Sequence, residues 1–360
     1  MAYTTIDDPS AHFNTLLYTG NGTTGQSLTY DGNSNLQPDW LWNKVVSEAD
    51  SHASWDSSRG ITKILYPNLD LDEDTNGNNN IVSLDTNGVT VGGNQQYANH
   101  DGATQVSWGW RANGGTLTTN DASATGVGSI DSQYQANTTA GFSIVLYTGT
   151  GSIGSIAHGL GAVPSWMLVK NRTKSAGESW LNYHQKLTSA PETEIILTNS
   201  TNATSDNDIA WNDTAPTSTV FTVKNDDSTN DSGESFIAYI FAEKQGFSKF
   251  GEYRGNGNAN GAFVYTGFKP AWLMIKVYDG NTGGWDMYDN KRGSYNGQIS
   301  MLQANATAAQ ATSDQVDFLS NGFKIRSTSG NQNGSGNKHI YFAFAESPFV
   351  TSKGTPTTAR

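Results

Sequence analysis

One phrase occurs three times in this chain: proline, any residue, tryptophan, three residues, lysine. It reads Pro38-Asp39-Trp40-Leu41-Trp42-Asn43-Lys44, then Pro164-Ser165-Trp166-Met167-Leu168-Val169-Lys170, then Pro270-Ala271-Trp272-Leu273-Met274-Ile275-Lys276. Further landmarks repeat around it. Tyr147-Thr148-Gly149-Thr150-Gly151 and Tyr253-Arg254-Gly255-Asn256-Gly257 precede the later copies at equal distance, and Ala242-Glu243 and Ala345-Glu346 follow them. Such a period is too long for a solenoid unit and suits a β-sandwich of ~100 residues. The spacing predicts an N-terminal arm over 1–12, modules over 13–113, 141–245 and 246–350, a Gly/Thr/Ser/Asn-rich linker over 114–140, and a polar tail over 351–360.

Each copy of the phrase predicts a β-strand. Proline has no N–H and is tolerated at a strand's start or edge. Side chains then alternate between faces. Trp40, Trp42 and Lys44 share one face, as do Trp166, Leu168 and Lys170, and Trp272, Met274 and Lys276. Leu41, Met167, Val169, Leu273 and Ile275 take the other. Both faces are apolar, as in a strand held between two layers. The lysines end the apolar run and are expected to extend their heads to water. Trp40, Lys44, Trp166, Lys170, Trp272 and Lys276 are therefore read as structural, with a ligand site as the alternative.

The closing strands follow the same logic. Ile237, Tyr239 and Phe241 oppose Ala238, Ile240 and Ala242; Ile340, Phe342 and Phe344 oppose Tyr341, Ala343 and Ala345. The large face is expected to fill each module's own interior. The small face is expected to admit a neighbouring module. The fold class that follows is all-β: three tandem antiparallel sandwiches of jelly-roll or lectin-like type, with three separate interiors.

Composition excludes several functions. A net charge of -12 disfavours nucleic acid and anionic membrane as partners. With 0 Cys there is no disulfide framework and no thiolate metal site. No apolar run approaches the ~18 residues of a membrane span, and the first residues lack the basic and apolar regions of a signal peptide.

Catalytic patterns are absent. The 6 His include no pair at metal-ligand spacing, and no Gly-x-Ser-x-Gly elbow occurs. His184 stands where the other modules carry Asp56 and Asp289, which argues against a catalytic role. Asp286 and Asp289 could form a carboxylate pair, but Asp289 is better read as a turn brace with Arg292, worth at most ~1 kcal/mol. The run Asp72-Glu73-Asp74-Thr75-Asn76-Gly77 matches the start of a calcium loop, giving Asp72, Asp74 and Asn76 as candidate ligands. Its twelfth position is Ser83, where a bidentate Glu is needed. No other cofactor is expected.

These phrases resemble an uncharacterised repeat-domain family of tailed-bacteriophage virion proteins, of marine cyanophage and pelagiphage type. The resemblance rests on the Tyr-Thr-Gly-x-Gly opening, Pro-x-Trp-x-x-x-Lys, Trp-x-x-Tyr-Asp with Arg-Gly (285–293), Asn-Gly-Phe-Lys-Ile (321–325) and the ending at 341–349. It covers most of 142–350 and 13–113 more loosely, where Trp108-Gly109-Trp110-Arg111 replaces the aromatic-Ala ending. It implies lectin-like or SPRY-like sandwich modules in a non-enzymatic structural protein on the virion surface, made in the host cytoplasm. A tail fibre or appendage is the expected place. Partners implied are other virion proteins, further copies of the chain in a homo-oligomer, and a host-surface glycan. A capsid decoration or head fibre without ligand, and a polysaccharide depolymerase, are the alternatives. The resemblance transfers no catalytic residue.

Overall fold

The computed structural model describes residues 2–75, 79–174, 177–293 and 298–357. Its secondary structure is almost wholly antiparallel strand, with only short helical turns such as Asp227–Asn230. One strand order recurs three times: opening, closing, signature, bracing. The opening strands are Phe13–Thr19, Phe142–Thr148 and Ser248–Arg254; the closing strands are Thr104–Trp110, Ser235–Phe241 and Lys338–Pro348. The signature strands are Trp40–Val45, Trp166–Asn171 and Phe268–Val277; the bracing strands are Ala53–Asp56, Leu181–His184 and Trp285–Asp289. Registers match as well. Trp40 pairs with Trp110, Trp166 with Phe241 and Trp272 with Phe344, while on the other side they face Asp56, His184 and Asp289.

A second layer covers one face of each sheet. It consists of Gln26–Leu28, Gly88–Val91 and Ile81–Asp85 in module one, and of Gly154–Ala157 with Val220–Val223 in module two. In module three the first sheet continues from its bracing strand through Gln298–Gln303, Ala311–Leu319 and Gly322–Ile325 to Phe263–Tyr265. The far strands of this run pack back over the signature strand.

The faces are used the opposite way from the sequence expectation. In module two the small face (Ala238, Ile240, Ala242) packs inside the module, with Val145, Met167, Phe221 and Val223. The large face (Ile237, Tyr239, Phe241) enters a core shared with Trp40, Trp42, Trp108 and Trp110 of module one and Trp272, Phe342 and Phe344 of module three. The tryptophans at 40, 166 and 272 thus sit on equivalent strands but in one common interior. Trp110, Phe241 and Phe344, the equivalent aromatics of the three closing strands, form a triangle at its centre. Their ring centroids lie 6.4, 5.4 and 5.6 Å apart. Bulky aromatics fill the interior where the three sheets meet, and alanines and Ile240 pack against the second layer inside module two.

The linker, arm and tail each take a definite place. Within 114–140, Ser132–Asn137 pairs along the opening strand of module two, and Thr118–Asn120 pairs outside it. The segment is thus laid along module two. The arm is docked too. Ile6 lies in the shared core, and Thr4 Oγ1 donates to the Gln245 carbonyl at 2.8 Å. The tail turns back, with Ser352 N donating to Asp7 Oδ1 at 2.6 Å and Thr351 N to the Thr355 carbonyl at 2.9 Å.

Candidate functional site

The polar side chains that stood out in the sequence converge on the module junctions, in a cyclic pattern. The bracing-strand residue opposite each signature tryptophan reaches the closing strand of the next module. Tyr239 OH donates to Asp56 Oδ2 at 2.7 Å, from module two to module one. His184 Nε2 lies 3.4 Å from the Tyr341 carbonyl and its ring meets Phe342 edge-on, 4.8 Å between centroids. Trp108 Nε1 donates to Asp289 Oδ2 at 3.1 Å, which closes the circle from module three back to module one. Asp56 and Asp289 are each buried and bound to an arginine three residues on, Arg59 Nε and Arg292 Nε, at 2.5 Å. The surface turn brace read from the sequence is thus a buried pair.

A second circle runs the other way. Trp180 Nε1 donates to the Tyr66 carbonyl of module one at 2.9 Å, and Trp285 Nε1 to the Leu197 carbonyl of module two at 2.9 Å. His52 holds the equivalent place in module one. Trp42 Nε1 donates to its Nδ1 at 2.9 Å, so Nε2 carries the proton and donates to the Gln303 carbonyl of module three at 3.1 Å.

The three lysines do not reach water. Lys44 is 1 % exposed, Lys170 and Lys276 0 %. They share the tryptophan face, and that face is closed by the preceding module. Lys170 Nζ donates to the carbonyls of Glu178 and, at 2.9 Å, of Asp70 in module one. Lys276 Nζ donates to Gly283 at 2.7 Å and to Thr201 of module two at 2.9 Å. Lys44 stays within its own module, on Val45 at 2.5 Å and Glu48 at 3.3 Å. Burial pushes all three ammonium groups down to about 8. Below that pH they are charged in both folded and unfolded chains, and burial opposes folding. Between about 8 and the ordinary lysine value of ~10.4, the folded protein releases protons that the unfolded chain keeps, so stability rises with pH. The urea midpoint is expected to climb from about pH 8 to about pH 9, with a smaller climb in Lys170→Met; nearer pH 10 the buried tyrosines, whose hydroxyls burial pushes up, act in the opposite sense. A flat or falling midpoint in the wild-type protein would refute this.

The acidic loop is part of the same clasp. Glu73 accepts from Arg172 Nε of module two at 2.8 Å and from Arg59 Nη1 of module one at 3.0 Å. Burial alone would raise its carboxyl, but these guanidinium groups outweigh it and hold the carboxyl below its usual range. Asp74 Oδ2 accepts from Tyr66 OH at 3.1 Å, Asp72 is exposed, and Asn76 lies outside the described residues. Among the described residues no three His, Asp or Glu side chains gather as a metal would require. Asp286 and Asp289 do not face one another either: alternation sends Asp289 to the junction and Asp286 into module three. There Asp286 accepts from Gln303 at 2.8 Å and from Gln332. Burial pushes its carboxyl up to about 6.

Sequence reading passed over a buried asparagine in each module. Asn99, Asn230 and Asn333 clamp the Gly-x-Gly turns through the backbone N–H of Asn21, Thr150 and Asn256, at 2.9, 2.8 and 2.9 Å. The tyrosines before those turns, Tyr18, Tyr147 and Tyr253, donate to the carbonyl one residue ahead of each asparagine. A signal was present: each asparagine precedes Trp108, Tyr239 or Phe342 by the same interval.

Residues 8–348 match the family model of a domain of unknown function, DUF7483. The chain belongs to that family. The match runs through all three modules in one piece, in keeping with a shared interior. No curated protein and no solved structure matches the chain. What this DUF7483 chain offers a ligand is therefore judged from its own surface. Its tryptophans are all buried. A cleft of about 670 Å³ opens between modules two and three, lined by Lys186, Ser189, Glu252, Arg254, Tyr278 and Lys338. A smaller one, about 220 Å³, lies between the arm, module one and module three, beside Asp8, Asn14, Asp31, Asn290, Lys291 and Glu346. Both present amides, carboxylates and cations, and the larger also offers the rings of Tyr253, Tyr278 and Pro191.

Proposed function

We propose that this chain is a non-enzymatic structural protein of a bacteriophage particle, displayed on its surface as part of a tail fibre or appendage, with recognition of a host-surface glycan. The observation that carries the reading is the use made of the reactive-looking side chains. Asp56, Asp289, His52, His184, Glu73, Lys170 and Lys276 are all engaged at junctions between modules. That arrangement suits a rigid body built to resist unfolding better than a reaction cleft. The resemblance of the repeated phrases to virion proteins supports the same reading. The polar clefts at the junctions, with their mix of hydroxyl, amide and charged groups, suit the hydroxyl-rich face of a saccharide.

Adsorption separates this reading from its rivals. Particles lacking the protein are expected to adsorb to host cells at least about tenfold less, a loss of ~1.4 kcal/mol or more in attachment. Purified protein incubated with host polysaccharide should release no new reducing ends. Unimpaired adsorption would leave a decoration without ligand, and sustained release of reducing ends would make the chain a depolymerase.

A further inference from the structure

The three modules provide a comparison within one chain. Each has a second-layer edge strand with the same register: Gln26–Leu28, Gly154–Ala157 and Phe263–Tyr265. Leu28, Ile156 and Val264 point into the modules and are buried. Ser27, Ser155 and Phe263 are equivalent, and their N–H and C=O groups point away from the partner strand. Thr29, Ala157 and Tyr265 are equivalent in the same way.

In module two this outer edge is covered by the chain itself. Ser129 N and Ile130 N both donate to the Ser155 carbonyl, at 2.8 and 3.0 Å, and Ser155 N donates to Ser129 Oγ at 2.9 Å. Ser132 Oγ donates to the Ala157 carbonyl at 3.2 Å. Ile130 and Ile156 form a parallel bridge, and Ile130 packs into the module's core. Gly128 allows the close approach: at φ 77° it has positive φ, and a Cβ there would come within 2.6 Å of the Ser155 carbonyl oxygen. In module one the edge is lined outwardly by Ser27 and Thr29, both exposed and polar, as suits a strand end left in water. In module three neither treatment applies. No described residue bonds the backbone of Phe263, and the outward side chains are Phe263, 48 % exposed, and Tyr265, 50 % exposed. Tyr265 OH lies 3.1 Å from Tyr3 OH of the docked arm, but its backbone edge is left open; at Phe263 the fold does not require a ring, because serine serves at the same position in both sister modules.

We infer that the Phe263–Tyr265 edge accepts an extended segment of a partner polypeptide as a parallel strand, in the way that residues 128–132 cover module two. Main-chain hydrogen bonds hold such a segment and side-chain pockets select it. Phe263 and Tyr265 supply the apolar contact that a short added strand needs. Ala262 stands where module two has Gly154, whose Cβ would meet Ile130 Cδ1 at 2.5 Å. The partner segment therefore carries a residue shorter than isoleucine at that point. Its chemistry is a small residue, then a hydroxyl residue, then a short apolar residue. The inference stands whether or not the chain is a particle protein.

The probe is a fluorescent peptide of residues 125–133 carrying Ile130→Val, titrated against the intact protein and followed by polarisation. Saturable binding is expected, weakened at least about tenfold by Phe263→Pro, because proline deletes the outward N–H and leaves the bonds to Gly322–Ile325 untouched. An unchanged melting midpoint checks that this variant folds. Phe263→Ser/Tyr265→Ala, which copies module two, should weaken binding comparably and serves if the proline variant does not fold. Three results would overturn the inference. One is no saturable binding up to about 1 mM, where ΔG is only ~4 kcal/mol. Another is a dimer in sedimentation that Phe263→Pro abolishes, which would assign the edge to self-pairing. The last is binding on a saccharide panel that survives Phe263→Pro and is lost in Tyr265→Ala.

Discussion

Residues 114–245 expressed alone are expected not to fold. Cut from its neighbours, module two would expose Ile144, Trp166, Leu168, Ile237, Tyr239 and Phe241, all of which lie in the shared core. At about 1.5–3 kcal/mol for each large apolar side chain returned to water, the loss is about 9–18 kcal/mol. Whole domains are stable by only about 5–15 kcal/mol. The excised module should show no cooperative melt and should aggregate through its bare aromatic face. The intact chain should unfold in one transition, with tryptophan fluorescence and far-UV circular dichroism superimposed. A cooperative melt of 114–245 would show that the Val145, Met167, Phe221 interior suffices by itself. The same outcome would make the modules beads on a string.

This expectation reverses part of what the sequence suggests, and the reason is physical. Strands, their order and their equivalence were legible, because aromatics and lysines recur at fixed spacing and alternation gives faces directly. Which face looks inward was not. Ile237-Tyr239-Phe241 and Ala238-Ile240-Ala242 are both apolar, and a strand between two apolar layers carries no mark of which layer belongs to its own module. The lysine heads were misplaced for the same reason. Lys170 ends an apolar run whether water or a neighbour's carbonyl lies beyond it, and only the fold supplies Asp70. Ser132–Asn137 was hidden because Ser-Gln-Tyr-Gln-Ala-Asn lacks strong apolar alternation; its register comes from the opening strand it covers. The ion pairs of Glu73 were not legible in the acidic loop, since Arg59 and Arg172 lie 14 and 99 residues away in sequence. The clamping asparagines differ: their constant spacing could have been read from the repeat alone.

Asp56→Ala is expected to cost about 3–5 kcal/mol, since it strands a buried arginine and removes a link between two modules. Asp56 accepts from Arg59 Nε, from the backbone N–H groups of Ser58 and Arg59 at 3.0 and 2.8 Å, and from Tyr239 OH. Its loss leaves the guanidinium with Glu73 and weaker carbonyl contacts, in an interior closed to water. Asp289→Ala should cost a similar amount, for Arg292 and Trp108 lose the same partner. His184→Ala should cost less, about 1–2 kcal/mol, the scale of a lost neutral hydrogen bond and ring contact. Leu187 fills the position of Arg59 and Arg292 there, so no charge is stranded. Urea midpoints of the three variants test this order. Adding Arg59→Met to Asp56→Ala should recover part of the loss, since the double variant no longer buries a guanidinium deprived of its closer carboxylate, and Glu73 keeps Arg172. Equal losses at all three positions, or no recovery in the double variant, would mean that packing at the junctions outweighs the charges. The two arginines would then be passengers in an interior that the aromatics hold unaided.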